Sequence, residues 1–393
     1  MAYAFYGWEG ADSSPIHDVY AAVQSPRALY DLLKDLWSAE TCAPRMRKDW
    51  TRENKTLGQC SITAFLAQDI FGGRVYGVPL PEGGFHCYNE VEGKVFDLTS
   101  EQFGHTLLRY ENNPEQSRLV HFASAEKKAR YELLKAALLK KIGHRDIWDD
   151  GIRLDAQIDL PENMGEGAPM VIIQHGFTGH KDEPHLLAVS GMLNALGCAT
   201  LRFDFYGHGK SQGAFHDHTL YKWVNKSLTV IDYARKLDFV TDLYLCGHSQ
   251  GGLTAMLAAG MKWDALRGLI PMSPAAMIPE GARQGFLLGE HFDPDHVPDE
   301  IPAWGGRTLG GNYVRVAQTI HVEEAIERYK GPVLLMHGDA DGAVPIQCSI
   351  DAQRGYDNAQ LAVIRGDGHC YENHLDQAVE AVRNWMAKQL QKR

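Results

Sequence analysis

A serine set between two glycines, an aspartate in a later glycine-rich loop and a histidine in the next are residue types that can attack a carbonyl carbon. A serine hydroxyl is a weak nucleophile near neutral pH until a base takes its proton and a third group orients that base. Ser249 lies in Gly247-His248-Ser249-Gln250-Gly251. The residues before it, 242–246, read as a short buried strand, and 252–259 after it read as a helix. Strand, G-x-S-x-G and helix form the context of a nucleophile elbow. In that context the serine stands clear of the sheet at a helix N-terminus, where backbone N–H groups stabilise negative charge. A bare G-x-S-x-G can also be an ordinary turn, and the flanks decide between the two readings.

The partners follow in the order Ser, acid, His that α/β-hydrolases use. Residues 332–337 read as a buried strand running into Gly338-Asp339-Ala340-Asp341-Gly342, and 362–364 as a strand running into Gly366-Asp367-Gly368-His369. Strands ending in such loops deliver side chains to the carboxyl edge of a parallel sheet, where ligands bind. His369 is the expected base. Asp341 is favoured as its acid because it sits deeper in its loop, with Asp339 and Asp367 as competitors; alone, any of them would be a turn former. An oxyanion hole needs two N–H donors. The backbones of Gln250 and of Phe177, after the apolar strand 170–174 and Gly176, are the candidates.

Two other patterns carry less. Residues 204–211 lack the glycine five positions before Gly209 that a phosphate loop needs. His216 and His218 have no further ligand set around them, so a solvated loop is expected there, with no metal and no cofactor.

The residues from about 150 onward resemble the bacterial cinnamoyl (feruloyl) esterases of the α/β-hydrolase superfamily. The likeness is carried by HGFTGHK at 175–181, DFYGHGKS at 204–211, GHSQGG at 247–252, HGDADGAVP at 337–345 and GDGHC at 366–370. It extends to 291–299 and 309–318, which look like that family's small inserted lid, here about 273–325. The resemblance implies Ser249 as nucleophile, Asp341 and His369 as its partners, and Phe177 and Gln250 as the oxyanion donors. It also implies that Tyr313 and Gln284 contact a hydroxycinnamate. The stretch 273–284 looks shorter than in those esterases, and the acidic lid residue expected there has only Glu280 nearby.

The chain has 393 residues, 44% hydrophobic and 23% charged, which suits two or three globular domains. A net charge of −11 argues against nucleic acid or an anionic membrane surface as the main partner. The opening residues lack a basic and then apolar signal sequence, and no run approaches the roughly 18 apolar residues of a membrane span. Seven cysteines without a CxxC pair point to reduced thiols in a cytoplasm. The expected partner is a small-molecule ester, and a homo-oligomer is left open.

An α/β-hydrolase needs only the second part of the chain. Residues 125–142 read as an amphipathic helix ended by Gly143, and 151–158 as an alternating strand, so the division is expected near 145–146. In the first part, Cys60 opens a helix-like run, while His86 and Asp97 lie in or beside two alternating segments. A helix-start cysteine with His and Asp or Asn on neighbouring strands is the arrangement of papain-like and transglutaminase-like α+β folds. Gln59 is a further oxyanion candidate. The bland reading is a buried cysteine beside a structural histidine. GQCSITAFLAQDIFGG at 58–73, HCYN at 86–89 and DLTSEQF at 97–103 resemble the YunG-like family over roughly 30–140.

Two functions are carried forward. The first is a serine carboxylesterase acting on hydroxycinnamate esters, with short-chain esterase, monoacylglycerol lipase and acylpeptidase as variants. The second is a bifunctional enzyme in which Cys60 acts as an amidase or acyltransferase.

Overall fold

Alternating burial builds the larger sheet. In the strand Ala168–Gln174 every residue is buried: Met170 and Ile172 enter one core, Val171 and Ile173 another. A strand covered on both faces belongs in a parallel sheet between helix layers. The computed structural model describes residues 5–391 except 18, 19, 21, 82, 105, 107, 162, 163, 165 and 166. Residues 1–4 of the opening segment read for a signal sequence lie outside the described set. The chain divides into two compact units between Gly143 and His144.

Among the described residues, the first unit has four α-helices and a small sheet. The helices are α1 (Pro26–Leu33), α2 (Cys60–Phe71), α3 (Arg118–Phe122) and α4 (Ala125–Ile142). Ser25, Ser117 and Ser124 accept a backbone N–H at the starts of α1, α3 and α4, supplying partners that the first turn of a helix lacks. Strands β1 (Arg74–Pro79), β2 (Phe85–Val91) and β3 (Lys94–Phe96) pair antiparallel in that order. Asn89 on β2 donates to Ala64 O of α2 at 2.8 Å, tying the sheet to that helix.

In the second unit, β4 (His144–Asp149), β5 (Ile152–Asp159), β6 (Ala168–Gln174), β7 (Ala199–Phe203), β8 (Val240–His248) and β9 (Leu266–Met272) are followed by short lid strands. These are β10 (Phe286–Leu287), β11 (Glu290–His291), β12 (Glu300–Ala303) and β13 (Arg307–Gly310), before β14 (Val333–Gly338) and β15 (Ala359–Ile364). The eight-stranded sheet runs β15-β14-β9-β8-β6-β7-β5-β4, parallel from β15 to β7 and antiparallel at β5 and β4. Helices α5 (Pro184–Ala195), α6 (Leu220–Ala234), α7 (Gln250–Met261), α11 (Gln347–Gly355) and α12 (Leu375–Leu390) cover it. The short α8 (Ile278–Gln284), α9 (Asn312–Ala317) and α10 (Val322–Arg328) lie between β9 and β14. Residues 144–149, where the sequence places the division between domains, form an edge strand: alternation there is interrupted by exposed Trp148, and pairing with β5 makes the strand.

A buried charge cluster holds the loop that follows β6. Lys181 Nζ lies 2.5 Å from Asp155 Oδ1 and 3.1 Å from Asp204 Oδ2, all three nearly inaccessible to solvent. Asp204 also accepts the Lys181 and Lys210 backbone N–H groups. Residues 204–211 are thus a structural turn. Removing one partner of a buried pair strands the other charges. Lys181→Ala should therefore cost about 3–5 kcal/mol in urea unfolding of the second unit; an unchanged midpoint would show the cluster to be dispensable.

Candidate active site

Ser249 leaves β8 and enters α7 with φ 58° and ψ −122°, a backbone that a side-chain-bearing residue adopts only under constraint. The constraint is close packing. A Cβ on Gly247 would meet Gly251 O at 2.2 Å, and one on Gly251 would meet His175 O at 2.2 Å. Ser249 N–H donates to Met272 O and its carbonyl accepts from Ala275 N–H. Ser249 holds the N-cap position of α7 yet makes no capping bond, so its hydroxyl is not spent on the helix.

Because β8, β14 and β15 are parallel, the loops after them emerge at one edge. His369 Nδ1–H donates to Asp341 Oδ2 at 2.7 Å. Asp341 Oδ1 accepts the Ala343 and Val344 N–H groups at 2.8 Å each. Burial would raise the Asp341 carboxyl, but bonds from His337, His369 and the Val344 amide outweigh it and hold the group far below the usual carboxylate range. The competing carboxylates are spent on loops: Asp339 accepts Gly366 N–H, and Asp367 accepts the N–H groups of Gly368, Asn373 and His374. His248 Nε2–H donates to His369 O at 2.8 Å, tying the histidine loop to the residue before Ser249.

Ser249 opens into a cavity of about 510 Å³ shared with Phe177, Gln250, Ile278, Glu280, Gln284, Leu287 and Trp304. Gly176 lets the Phe177 backbone pass Ser249, since a Cβ there would stand 2.9 Å from Ser249 Cβ. Gln284 lies on the cavity wall, with its amide donating to Glu280 Oε1 at 2.7 Å. Tyr313 is placed differently from what the resemblance implied. It is fully buried, and its hydroxyl donates to Gln250 Oε1 at 2.6 Å. Its hydroxyl is taken by the residue after Ser249, and the phenol does not line the cavity. Pairing with a glutamine across 63 positions leaves no local trace in a sequence.

Glu183, His185 and His248 bring ligand atoms within 4.8 Å of one another behind this loop. Burial raises the Glu183 carboxyl to about 7 and lowers the His185 imidazole to about 4, with His248 also depressed by burial. Burial thus disfavours the charged form of all three, although their donor set could hold a cation.

In the first unit, Cys60 is the first residue of α2, His86 lies on β2 and Asp97 just beyond β3. His86 Nε2 donates to Asp97 Oδ2 at 2.6 Å, both side chains almost fully buried. Asp97 also accepts from Tyr110 Oη at 2.8 Å and from the Thr99 N–H and hydroxyl. Burial acts to lower the His86 pKa, but the charges of Asp97 and Cys60 prevail and raise it to about 10. A bond from the Cys87 thiol and the charge and bonding of His86 hold Cys60 well below the usual thiol range despite its burial. Gln59 departs from the expectation of an oxyanion donor: its side-chain amide donates to Ser38 O at 2.9 Å.

A parallel sheet covered by helices on both faces, with a strained serine and a bonded Asp–His pair at its carboxyl edge, defines an α/β-hydrolase. The family described as Serine aminopeptidase, S33 matches residues 166–292, and that described as YunG protein matches 25–143. Est1E from Butyrivibrio proteoclasticus, solved with ferulic acid bound, is 56% identical at a TM-score of 0.62, over 63% of this chain and 99% of that one. The YunG protein of Bacillus subtilis (strain 168) is 33% identical over 106 residues, covering 27% of this chain and 84% of that protein. Human mitochondrial palmitoyl-protein thioesterase ABHD10 is 30% identical over 201 residues, and the chain spans 64% of it. The chain belongs to the YunG family through its first unit and to the cinnamoyl (feruloyl) esterases through its second, and it is a carboxylic ester hydrolase. Among the described residues, no helix is long and apolar enough to cross a membrane.

Asp341→Asn keeps the shape of the acid but reverses its bonding preference toward His369. It should lower kcat on a 4-nitrophenyl ester by about 10⁴-fold, while Asp339→Asn stays within about threefold of the parent, since its loop bond survives. Equal losses in steady-state assays of the two variants would contradict the assignment of Asp341.

Proposed function

We propose that the second unit hydrolyses hydroxycinnamate esters through an acyl-enzyme on Ser249. The observation that carries the reading is the cavity at Ser249, walled by Phe177, Ile278, Leu287 and Trp304, with the Glu280–Gln284 pair as a polar feature of the lid. Apolar and aromatic walls suit a phenylpropenoyl group, and a carboxylate bonded to an amide suits its phenolic hydroxyl. The likeness to Est1E, which binds ferulic acid, supports the same substrate class.

In this reading His369 Nε2 takes the Ser249 proton as Oγ bonds to the ester carbonyl carbon. Asp341 holds the Nδ1–H tautomer and stabilises the imidazolium. The Phe177 and Gln250 N–H groups take the negative charge that develops on the carbonyl oxygen. The C–O bond then breaks, and the departing alcohol receives the proton from His369. Water, deprotonated by the same histidine, releases the hydroxycinnamic acid. Tyr313 acts through Gln250, holding the residue whose backbone N–H meets that oxygen.

A panel of methyl ferulate, methyl cinnamate, a short 4-nitrophenyl ester, a monoacylglycerol and an acyl-peptide tests the reading. Methyl ferulate should give the highest kcat/KM, and Ser249→Ala should lose about 10⁶-fold in kcat. Preference for the monoacylglycerol, the short ester or the peptide would replace the hydroxycinnamate proposal. Two further variants separate the polar contacts. Glu280→Gln should raise KM for methyl ferulate several-fold and leave methyl cinnamate, which lacks the hydroxyl, unchanged. Tyr313→Phe should lower kcat on both esters alike; a loss confined to ferulate would mean that Tyr313 contacts the phenol.

A further inference from the structure

We propose that the first unit holds a second acyl-transfer centre, in which Cys60 is the nucleophile, His86 its acid–base partner and Asp97 the orienting group. Its substrates are amides that carry a carboxylate.

Five observations converge. Cys60 starts α2, whose first-turn N–H groups have no helical acceptor and can receive an oxyanion. Gly58 has φ +69°, and a Cβ there would stand 2.8 Å from Cys42 Sγ, so glycine lets the chain turn tightly into the helix. Asp97 takes His86 Nε2 and accepts three further hydrogen bonds, which fixes the imidazole and leaves Nδ1 as the ring atom for the thiol. The Phe103 ring packs edge-on against His86 at 4.6 Å and braces that orientation. Cys60 and His86 line one cleft of about 940 Å³, with Cys60 half-buried at its wall. A buried structural cysteine needs neither the cleft nor an oriented, charged histidine.

The cleft also indicates the ligand. Its wall carries Arg45, Lys127 and Arg130 against Asp49 and Glu126. Arg130 is committed to Glu126 and to Thr41 O. Among the described residues, Arg45 and Lys127 form no ion pair, and a carboxylate on the substrate would complete them.

The thiolate sulfur of Cys60 bonds to the amide carbonyl carbon, and the carbonyl oxygen takes the electron pair. The C–N bond breaks as His86 gives its Nδ1 proton to the departing nitrogen, releasing an amine and leaving a thioester on Cys60. Water, deprotonated by His86, attacks that thioester. The C–S bond breaks, the acid leaves, and the thiolate–imidazolium pair is restored. Nothing beyond water is consumed.

Alkylation of the full chain, followed at each cysteine by peptide mass spectrometry, is the first test. An ion-paired thiolate should react with iodoacetamide at a nearly constant rate from about pH 5 to 8, whereas Cys348 and Cys370 should rise about tenfold per pH unit. Anionic iodoacetate should match or outpace neutral iodoacetamide at Cys60 and lose that advantage in Lys127→Gln. The second test uses the Ser249→Ala chain, in which 4-nitrophenyl acetate should place an acetyl group on Cys60, and His86→Asn should slow this about 100-fold. Three results would overturn the proposal. These are a thiol-like pH profile at Cys60, iodoacetate lagging there as it does at Cys348, and fast alkylation without any acetyl on Cys60. The alkylation arm uses the unmutated protein, so it does not depend on any variant folding.

Discussion

The second unit depends on one backbone position. Ser249 at φ 58° occupies a conformation that costs about 1–3 kcal/mol, and it persists only because its surroundings leave no alternative. Gly247, Gly251 and Gly176 let three stretches of chain pass within contact of each other, and bonds to Met272 and Ala275 lock both sides of the peptide. The elbow thereby sets the direction of the hydroxyl and the start of α7 in one step. The sheet supplies the rest: parallel neighbours β14 and β15 bring Asp341 and His369 to the same edge.

Charge is managed around that elbow by burial and by paired groups. Asp341 keeps its negative charge in a buried site because two histidines and two backbone N–H groups bond to it. His175 and His248, also buried, are held neutral by desolvation and serve as hydrogen-bonding struts: His175 Nε2 accepts Phe205 N–H, and His248 donates to the His369 carbonyl. The Lys181 cluster anchors the Phe177 loop from behind. These neighbours fix the frame in which His369 bonds Asp341.

What could be read from the sequence was local. Strand–turn–helix flanks mark Ser249, and glycine-rich loops after apolar strands mark 338–342 and 366–369, because periodicity and turn chemistry act over a few residues. Choosing among Asp339, Asp341 and Asp367 takes the three-dimensional bonding, since all three sit in similar loops. Tyr313 illustrates the limit. Its residue type fits a phenol contact, but the fold buries it against Gln250, and a partner 63 positions away leaves no mark in the local pattern. Gln59 is similar: adjacency to Cys60 suggested an oxyanion donor, and Ser38 claims its amide. The edge strand β4 was hidden because its pairing with β5 defines it better than its own alternation does.

One chain therefore carries a serine and a cysteine, each in a unit where a histidine is held by an aspartate. The esterase account stands on Ser249 carrying the acyl group. The most direct measurement is acid-quench mass spectrometry of the wild-type chain turning over 4-nitrophenyl ferulate, whose good leaving group makes deacylation the slow step. The account predicts a feruloyl group on the peptide containing Ser249, formed and lost at rates that match steady-state turnover. Turnover with the feruloyl group on Cys60, or on neither residue, would contradict it.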